Sequence, residues 1–225
     1  MGSNISPRNN CTHHPTDDGS FTIYSDLYGA HYHSTHGAIQ ESMHVFIDYG
    51  LKSINKNSIG ILEFGFGTGL NAFLTALHVS SPVDQVDYHS LELHPLAENL
   101  INELNYPNNR LQQDLFADIH QASWNKWIEL RSNFSLKKEL IDFVEFQSQR
   151  SYDIIYYDAF APSTQSHLWT EEMMQLCYEV LHTDGILVSY YAKGSFKRAL
   201  KSVGFDIEPL PGPPGKREMT RAIKR

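Results

Sequence analysis

The sequence predicts an α/β fold: a mostly parallel, doubly wound sheet whose last strand runs antiparallel. Three observations carry that expectation. Apolar runs of strand length alternate with segments of helical periodicity through most of the chain, the order that builds βαβ units. Some of those runs are continuous, as in Ile154-Ile155-Tyr156-Tyr157, which is the pattern of strands covered on both faces. The first clear run, Ser58 to Phe64, ends abruptly in a G-x-G-x-G turn that opens a helix.

Taken in order, residues 1–20 are polar, rich in Asn, Asp, Pro and Gly, and without a hydrophobic period, so a flexible N-terminal arm is expected ahead of one domain over 21–225. From Tyr24 to Leu51 an aromatic and histidine-rich loop leads into Ile39, Met43, Phe46 and Ile47 at helical spacing. Residues 21–57 therefore read as an N-terminal addition. The Ser58 strand is followed by a helix from Leu70 to His78, and a second strand fits Gln85 to Glu92 between Pro82 and Pro95. Polar periodic stretches at 95–105 and 113–131 predict two helices, a helical insertion over about 95–132. Residues 133–143 fit an edge strand or the start of a helix. A strand from Tyr152 ends at Asp158, and Thr170 caps a helix that carries Glu171 and Glu172 in its first turn and runs to His182, closed by Asp184-Gly185. A strand from Ile186 to Ala192, a helix from Ser195 to Val203 stopped by Gly204, and strands at 205–210 and 219–224 complete the chain.

Composition bounds the function. At 225 residues, 41% hydrophobic and 20% charged, the chain suits one globular domain with a sizeable core, and collagen-like, coiled-coil and disordered classes are excluded. No apolar stretch approaches the roughly eighteen residues of a membrane helix, and MGSNISPRNN lacks the apolar middle of a signal peptide, so a cytoplasmic protein without a membrane partner is expected. Cys11 and Cys177 form no CxxC, and His31, His33 and His36 match no zinc spacing, so neither a disulfide framework nor a metal site is expected. The net charge is −8, but it is uneven: Lys193 to Arg225 holds nine basic and three acidic residues, a net of +6, against −14 for the first 192 positions.

Glycines at 65, 67 and 69 let a backbone approach a ligand closely, and the helix behind them offers unpaired N–H groups. Glu92 ends the second strand 23 residues after Gly69, the spacing at which a carboxylate meets ribose hydroxyls. The dinucleotide spacing is not met, because Leu70 stands where its last Gly or Ala belongs. Glu63, just before the turn, would repel a phosphate and suit a ligand that carries an amino group. Asp158 lies at the end of another strand on the same predicted sheet edge, where it can accept a hydrogen bond from an amine, with Phe160 and Pro162 as apolar walls.

EFGFGTGLN followed by a later LE resembles the cofactor loop of class I (Rossmann-like) S-adenosylmethionine-dependent methyltransferases. More widely, YDIIYYDAFAP, LWTEEMM, AKGSFKRALKSVGF and PGPPGKREM, together with the string from Tyr32 through Glu41 to Phe46, resemble the methyltransferase half of the MnmC-like tRNA-modifying proteins over about residues 21–225. The resemblance implies S-adenosylmethionine as cofactor and methylation of the 5-aminomethyl group of the wobble uridine of tRNA, often with a 2-thio group. It implies that Glu63, Gly65, Gly67, Gly69 and Asn71 hold the cofactor, Glu92 its ribose, and Asp142 with Phe143 its adenine, Asp114 and Asp118 being alternatives to Asp142. Asp158 would meet the substrate amine. Bifunctional members carry an FAD-dependent oxidase domain whose signals are absent here, so the stand-alone form is expected, with separate oxidase or aminomethyl-forming enzymes upstream.

On the same basis the anticodon stem-loop is the expected RNA partner. Lys193, and Lys216 with Arg217 on a loop stiffened by Pro211, Pro213 and Pro214, would meet phosphates. Tyr28, Tyr32, Phe160, Tyr190 and Tyr191 offer aromatic faces, and of these Tyr32 and Phe160 stand nearest the motifs and would stack an unpaired base. Glu41 completes the expected substrate side. Two other readings share the fold: an aminopropyltransferase of the spermidine synthase type, which also has a strand-end Asp, and a non-catalytic cofactor-binding module.

Overall fold

The computed structural model describes residues 11–79 and 85–225; Pro82, read above as a strand boundary, lies outside them. Strands β1 (Cys11–Pro15), β2 (Phe21–Ser25) and β3 (Ala30–His31) form a small antiparallel sheet. This corrects the flexible arm expected over 1–20: from Cys11 onward the chain is paired, in register from Cys11↔Ser25 to Pro15↔Phe21. The polar residues between are a hairpin turn, in which Asp18 Oδ1 accepts from the Ser20 N–H at 2.9 Å and the Thr16 hydroxyl at 2.8 Å and Gly19 takes φ +81°. Residues 1–10 lie outside the described residues.

Helix α1 (Ala38–Ser42) runs into a π-helical stretch, Met43–Asp48, which buries Val45, Phe46 and Ile47. The main sheet follows: β4 (Ser58–Phe64), α2 (Leu70–His78), β5 (Gln85–Glu92), α3 (Glu98–Ile101), α4 (Arg110–Gln121), β6 (Trp127–Arg131), β7 (Phe134–Leu140), β8 (Tyr152–Tyr157), α5 (Pro162–Gln165), α6 (Glu171–Val180), β9 (Leu181–Ser189), α7 (Gly194–Ser202), β10 (Phe205–Pro211) and β11 (Glu218–Lys224). Its order is β10-β11-β9-β8-β4-β5-β7-β6, with β9, β8, β4, β5 and β7 parallel and β11 inserted antiparallel between β9 and β10. The continuous apolar strands lie at the centre because alternate residues feed two cores. Ile154 and Tyr156 of β8 join the layer of α2 and α4, whereas Ile155 and Tyr157 join that of α6 and α7.

Four local expectations change. The helix expected over 113–131 stops at Gln121, and Trp127–Arg131 is the antiparallel edge strand β6, because its exposure alternates residue by residue and not at helical spacing. The stretch at 95–105 is helical only at Glu98–Ile101, being broken up by Asn102, Asn105 and the nearby Pro107. The insertion over 95–132 is therefore not all helical. Residues 134–140 are an inner strand, paired to β5 and β6, and Asp184-Gly185 lies within β9, where the pairing with β8 slips, and not after a helix end.

The α6–α7 layer depends on a few aromatics. Phe196 is 1% exposed and sits edge-on to Trp169, with ring centroids 4.8 Å apart. Phe196→Ala is expected to cost about 3–5 kcal/mol in urea unfolding; a loss below about 1 kcal/mol would show that this layer closes the cavity without strain.

Candidate active site

The turn after β4 is left-handed at every glycine: φ is +103° at Gly65, +50° at Gly67 and +71° at Gly69. Space is as tight as the dihedrals. A Cβ would lie 3.0 Å from the Asp158 carbonyl at Gly65, 2.9 Å from Tyr32 at Gly67 and 2.8 Å from His120 at Gly69. The expectation that the glycines admit a ligand is thereby refined, since they also admit three other parts of the protein. The Gly65 and Phe66 N–H groups both donate to the Leu91 carbonyl at 3.1 Å, fixing the turn against the end of β5. The Gly67 N–H donates to Glu92 Oε2 at 2.9 Å and the His94 N–H to Oε1 at 2.8 Å. Glu92 is thus oriented by backbone, and its remaining lone pairs suit a pair of ligand hydroxyls.

These groups open on a cavity of ≈ 290 Å³ at the carboxyl edge of the sheet, and Gly65, Gly67, Asn71, Glu92, Phe143 and Asp158 all line it. Asn71 is the hinge of its chemistry. Its Nδ2 donates to Asp158 Oδ2 at 2.8 Å and to Glu63 Oε1 at 3.1 Å, while its Oδ1 is buried without a partner. An unpaired buried acceptor beside a carboxylate suits a ligand ammonium. Glu63 is fully buried, accepts from Ser90 Oγ at 2.5 Å and does not line the cavity. This corrects its expected contact with a ligand amine: Glu63 acts behind Asn71. Burial pushes its carboxyl up to about 8, against the hydrogen bonds from Ser90 and Asn71. Asp158 is pushed well above the carboxylate range, first by burial and then by the charges of Glu41 and Glu63, with Asn71 and Lys216 opposing.

The opposite wall comes from the N-terminal addition and the C-terminal loop. Glu41 accepts from the Ser34 N–H at 3.1 Å and is ion-paired to Lys216, whose Nζ lies 4.0 Å from the Tyr190 ring centroid. Tyr28 stacks on Phe160 at 4.3 Å and Tyr32 meets the same ring edge-on at 4.9 Å. Tyr32, Glu41, Phe160 and Lys216, the residues expected on the substrate side, line the cavity. Tyr28 and Tyr190, set behind Tyr32 and Phe160 because they stand further from the motifs, line it too, and so does His33. Their signal was position: Tyr190 follows β9 at the same sheet edge as Asp158.

Other expected residues stand elsewhere. Gly69 caps α2 away from the cavity lining. Asp142 caps the short 3-10 helix Phe143–Glu145 through a 3.2 Å bond from the Val144 N–H, so only Phe143 of that pair faces the cavity. Asp114 pairs with Arg110, and neither it nor Asp118 lines the cavity. Lys193 and Arg217 are exposed and outside the lining. Much of the basic segment is already committed: Lys197 pairs with Glu218, Lys216 with Glu41, Arg221 with Glu208, and Arg225 with Asp184 and Asp206. Lys193, Arg198, Lys201 and Arg217 form no salt bridge among the described residues. Among those residues no three His, Cys, Asp or Glu side chains converge as metal ligands, and no helix is long and apolar enough to cross a membrane.

Glu63 gives the fold a pH dependence. Its folded carboxyl titrates near 8 against an ordinary value of 4.5, so between these limits the folded chain holds a proton that the unfolded chain has released. The contribution is full below about 4.5 and lost as pH rises through 8. Glu63→Gln, which cannot ionise, is expected to show a smaller fall in urea midpoint from pH 5 to 8 than the unsubstituted chain; equal falls would assign the titration to another group.

A family model described as S-adenosyl-L-methionine-dependent methyltransferase matches residues 107–225. The chain is 29% identical over 223 residues to the tRNA 5-methylaminomethyl-2-thiouridine biosynthesis bifunctional protein MnmC of Burkholderia thailandensis, an alignment covering 90% of this chain and 33% of that protein. The chain thus spans about a third of the length of the curated relatives it matches. The crystal structure of MNMC2 from Aquifex aeolicus superposes with a TM-score of 0.79 at 27% identity, over 97% of this chain and 71% of that one. Spermidine synthase from Thermotoga maritima shares the fold, with a TM-score of 0.62 at 19% identity over 100% and 72% of the two chains. The architecture is that of the class I methyltransferases, and the site fits their cofactor: Glu92 for ribose hydroxyls, Phe143 as an apolar wall, Asn71 Oδ1 for an ammonium. The chain belongs to the S-adenosyl-L-methionine-dependent methyltransferase family, and S-adenosylmethionine is its cofactor.

Proposed function

We propose that the chain methylates the 5-aminomethyl group of the wobble uridine in tRNA, converting 5-aminomethyl-2-thiouridine to the 5-methylaminomethyl form. The observation that carries this reading is Asp158, a carboxylate of raised proton affinity held by Asn71 in a cavity that Tyr28, Tyr32 and Phe160 also line. The likeness to MnmC proteins, whose name states 5-methylaminomethyl-2-thiouridine biosynthesis, supports the choice of substrate. When bound, the cofactor supplies an electrophilic methyl group on a sulfonium. A primary amine can attack only when neutral, and near neutral pH an aminomethyl group is mostly protonated. Asp158 would accept that proton, and its raised affinity narrows the gap between carboxylate and amine, which makes the transfer less costly. Tyr28, Tyr32 and Phe160 would hold the extruded base by stacking.

The acidic body would repel phosphates, so the anticodon stem-loop is steered to the uncommitted cations Lys193, Arg198, Lys201 and Arg217. A tRNA substrate goes with a cytoplasmic location. Oxidase or aminomethyl-forming activity acting upstream would supply the aminomethyl base.

The test is mass spectrometry of wobble nucleosides from aminomethyl-bearing tRNA incubated with the chain and methyl-labelled cofactor. Label is expected on the 5-aminomethyl nitrogen, and Asp158→Asn is expected to lower kcat by about 10²–10⁴-fold. Unlabelled nucleosides, or full transfer by the Asn variant, would overturn respectively the substrate and the role of Asp158. Putrescine with decarboxylated S-adenosylmethionine is expected to yield no spermidine, the outcome that separates this reading from the aminopropyltransferase.

A further inference from the structure

We infer that His33 and His120 are positioning residues of the cofactor turn, holding Thr68 from opposite sides, one by its side chain and the other by its backbone carbonyl. The inference rests on the identity of the cofactor and not on the wobble-uridine reading. Thr68 lies between Gly67 and Gly69, both with positive φ, in a stretch whose glycines give it the largest conformational freedom to lose on ordering. A turn of this kind stays in place only if something outside it does the holding. Thr68 is 1% exposed, with its Oγ1 2.7 Å from His33 Nε2 and its carbonyl accepting from His120 Nε2 at 3.2 Å. Because a carbonyl only accepts, the His120 proton is on Nε2.

Each imidazole is itself held in place. Thr22 of β2 brackets the His33 backbone, its Oγ1 accepting from the His33 N–H at 3.0 Å and donating to the His33 carbonyl at 3.2 Å. The His120 carbonyl accepts from Lys138 Nζ at 2.6 Å, and that buried ammonium lies 5.2 Å from the Phe66 ring centroid and 4.9 Å from that of Trp124. Phe66 belongs to the same turn. The brace therefore closes on itself from β7 through the end of α4 to Thr68 and Phe66. The missing side chain at Gly69 is what lets the His120 ring approach, since a Cβ there would lie 2.8 Å from Nε2. Burial pulls both imidazoles down to about 4, so at neutral pH they serve as hydrogen-bond partners and not as charges.

Neither Thr68 nor His120 lines the cavity, so their effect on the cofactor is indirect; His33 does line it, which is why the pairing of His33→Leu with Thr68→Val, and not His33→Leu alone, reports on the clamp. The held turn aims the Gly67 N–H at Glu92, and Glu92 then presents its remaining acceptors to the ribose hydroxyls. Releasing either clamp should weaken cofactor binding while the chain still folds. The bond from His33 to Thr68 also ties the small N-terminal sheet to the cofactor turn, and the bond from His120 ties in α4. Two segments outside the core βα units thus converge on one residue.

The experiment is calorimetric titration of the full chain with S-adenosylmethionine and, separately, S-adenosylhomocysteine, in His33→Leu, His120→Leu, their Gln counterparts and Thr68→Val. Each Leu variant is expected to bind about tenfold more weakly, the value of one hydrogen bond of this kind. Gln, whose amide nitrogen can occupy the place of imidazole Nε2, is expected to restore most of the affinity. Thr68→Val is expected to weaken binding as His33→Leu does, and the two together no further, whereas His120→Leu with Thr68→Val should add. Unchanged affinity in the Leu variants, absence of rescue by Gln at unchanged Tm, or additivity between His33→Leu and Thr68→Val would overturn the assignment. If a Leu variant does not fold, the Gln variants and Thr68→Val, which keep the volume of the site, decide the same question.

Discussion

The left-handed turn between β4 and α2 is the constraint on which the site depends. Three glycines with positive φ within five residues are costly to order, and none could be replaced without collision, because each faces a different segment: the backbone of Asp158, the ring of Tyr32 and the ring of His120. The same approach that excludes side chains brings those segments together. The end of β8, the N-terminal addition and the end of α4 meet only because the turn leaves room for all three. A turn built merely to let a ligand in would not need Gly69, which does not face the cavity.

Behind the turn, burial sets the protonation of the site, and one amide moderates it. Asn71 Nδ2 bridges two carboxyl groups, Glu63 and Asp158, that share a poorly solvated environment in which two full negative charges would repel strongly. The outcome is a pair with raised proton affinity, one member sealed in the core and the other open to the cavity. An aspartate at a solvated strand end would be an ordinary acid, too weak a base to compete with an amine; burial, with Glu41 and Glu63 nearby, raises Asp158, and the Asn71 bond opposes that rise. With both amide hydrogens committed, Asn71 leaves only its Oδ1 for a ligand, which makes that position selective for a donor such as an ammonium.

What could be read from the sequence was what local pattern determines. The continuous run from Tyr152 to Tyr157 predicted a central strand, Gly65 to Gly69 a cofactor turn, and the spacing to Glu92 a carboxylate beside it, because each rests on neighbours in the chain. What escaped depends on packing between distant residues. The Glu41–Lys216 pair joins positions 175 residues apart. Glu63 changed role because whether a carboxylate faces a ligand or the core is decided by Asn71 and Ser90 beside it, not by its place before the glycines. The edge strand β6 was hidden because its charged residues fit a polar helix as well as an exposed strand face, and nothing in the spacing of His31, His33 and His36 singles out His33 as the one bonded to Thr68.

The charge asymmetry also changes meaning once partners are assigned. Lys197, Arg221 and Arg225 are paired within the C-terminal part of the sheet and the α7 layer, and Lys224 donates to the carbonyls of Tyr178 and Leu181. Much of the +6 of this segment is therefore structural: it fastens the β10–β11 hairpin to its surroundings. Lys193 precedes α7 just past the carboxyl end of β9, and Arg217 adjoins Lys216 at the cavity wall. Arg198 and Lys201 follow along the same helix, ~7 and ~12 Å further by its rise. Of the nine cations in this segment, Lys193, Arg198, Lys201 and Arg217 form no salt bridge among the described residues, so the charge asymmetry leaves four side chains, and not nine, for a partner outside the chain.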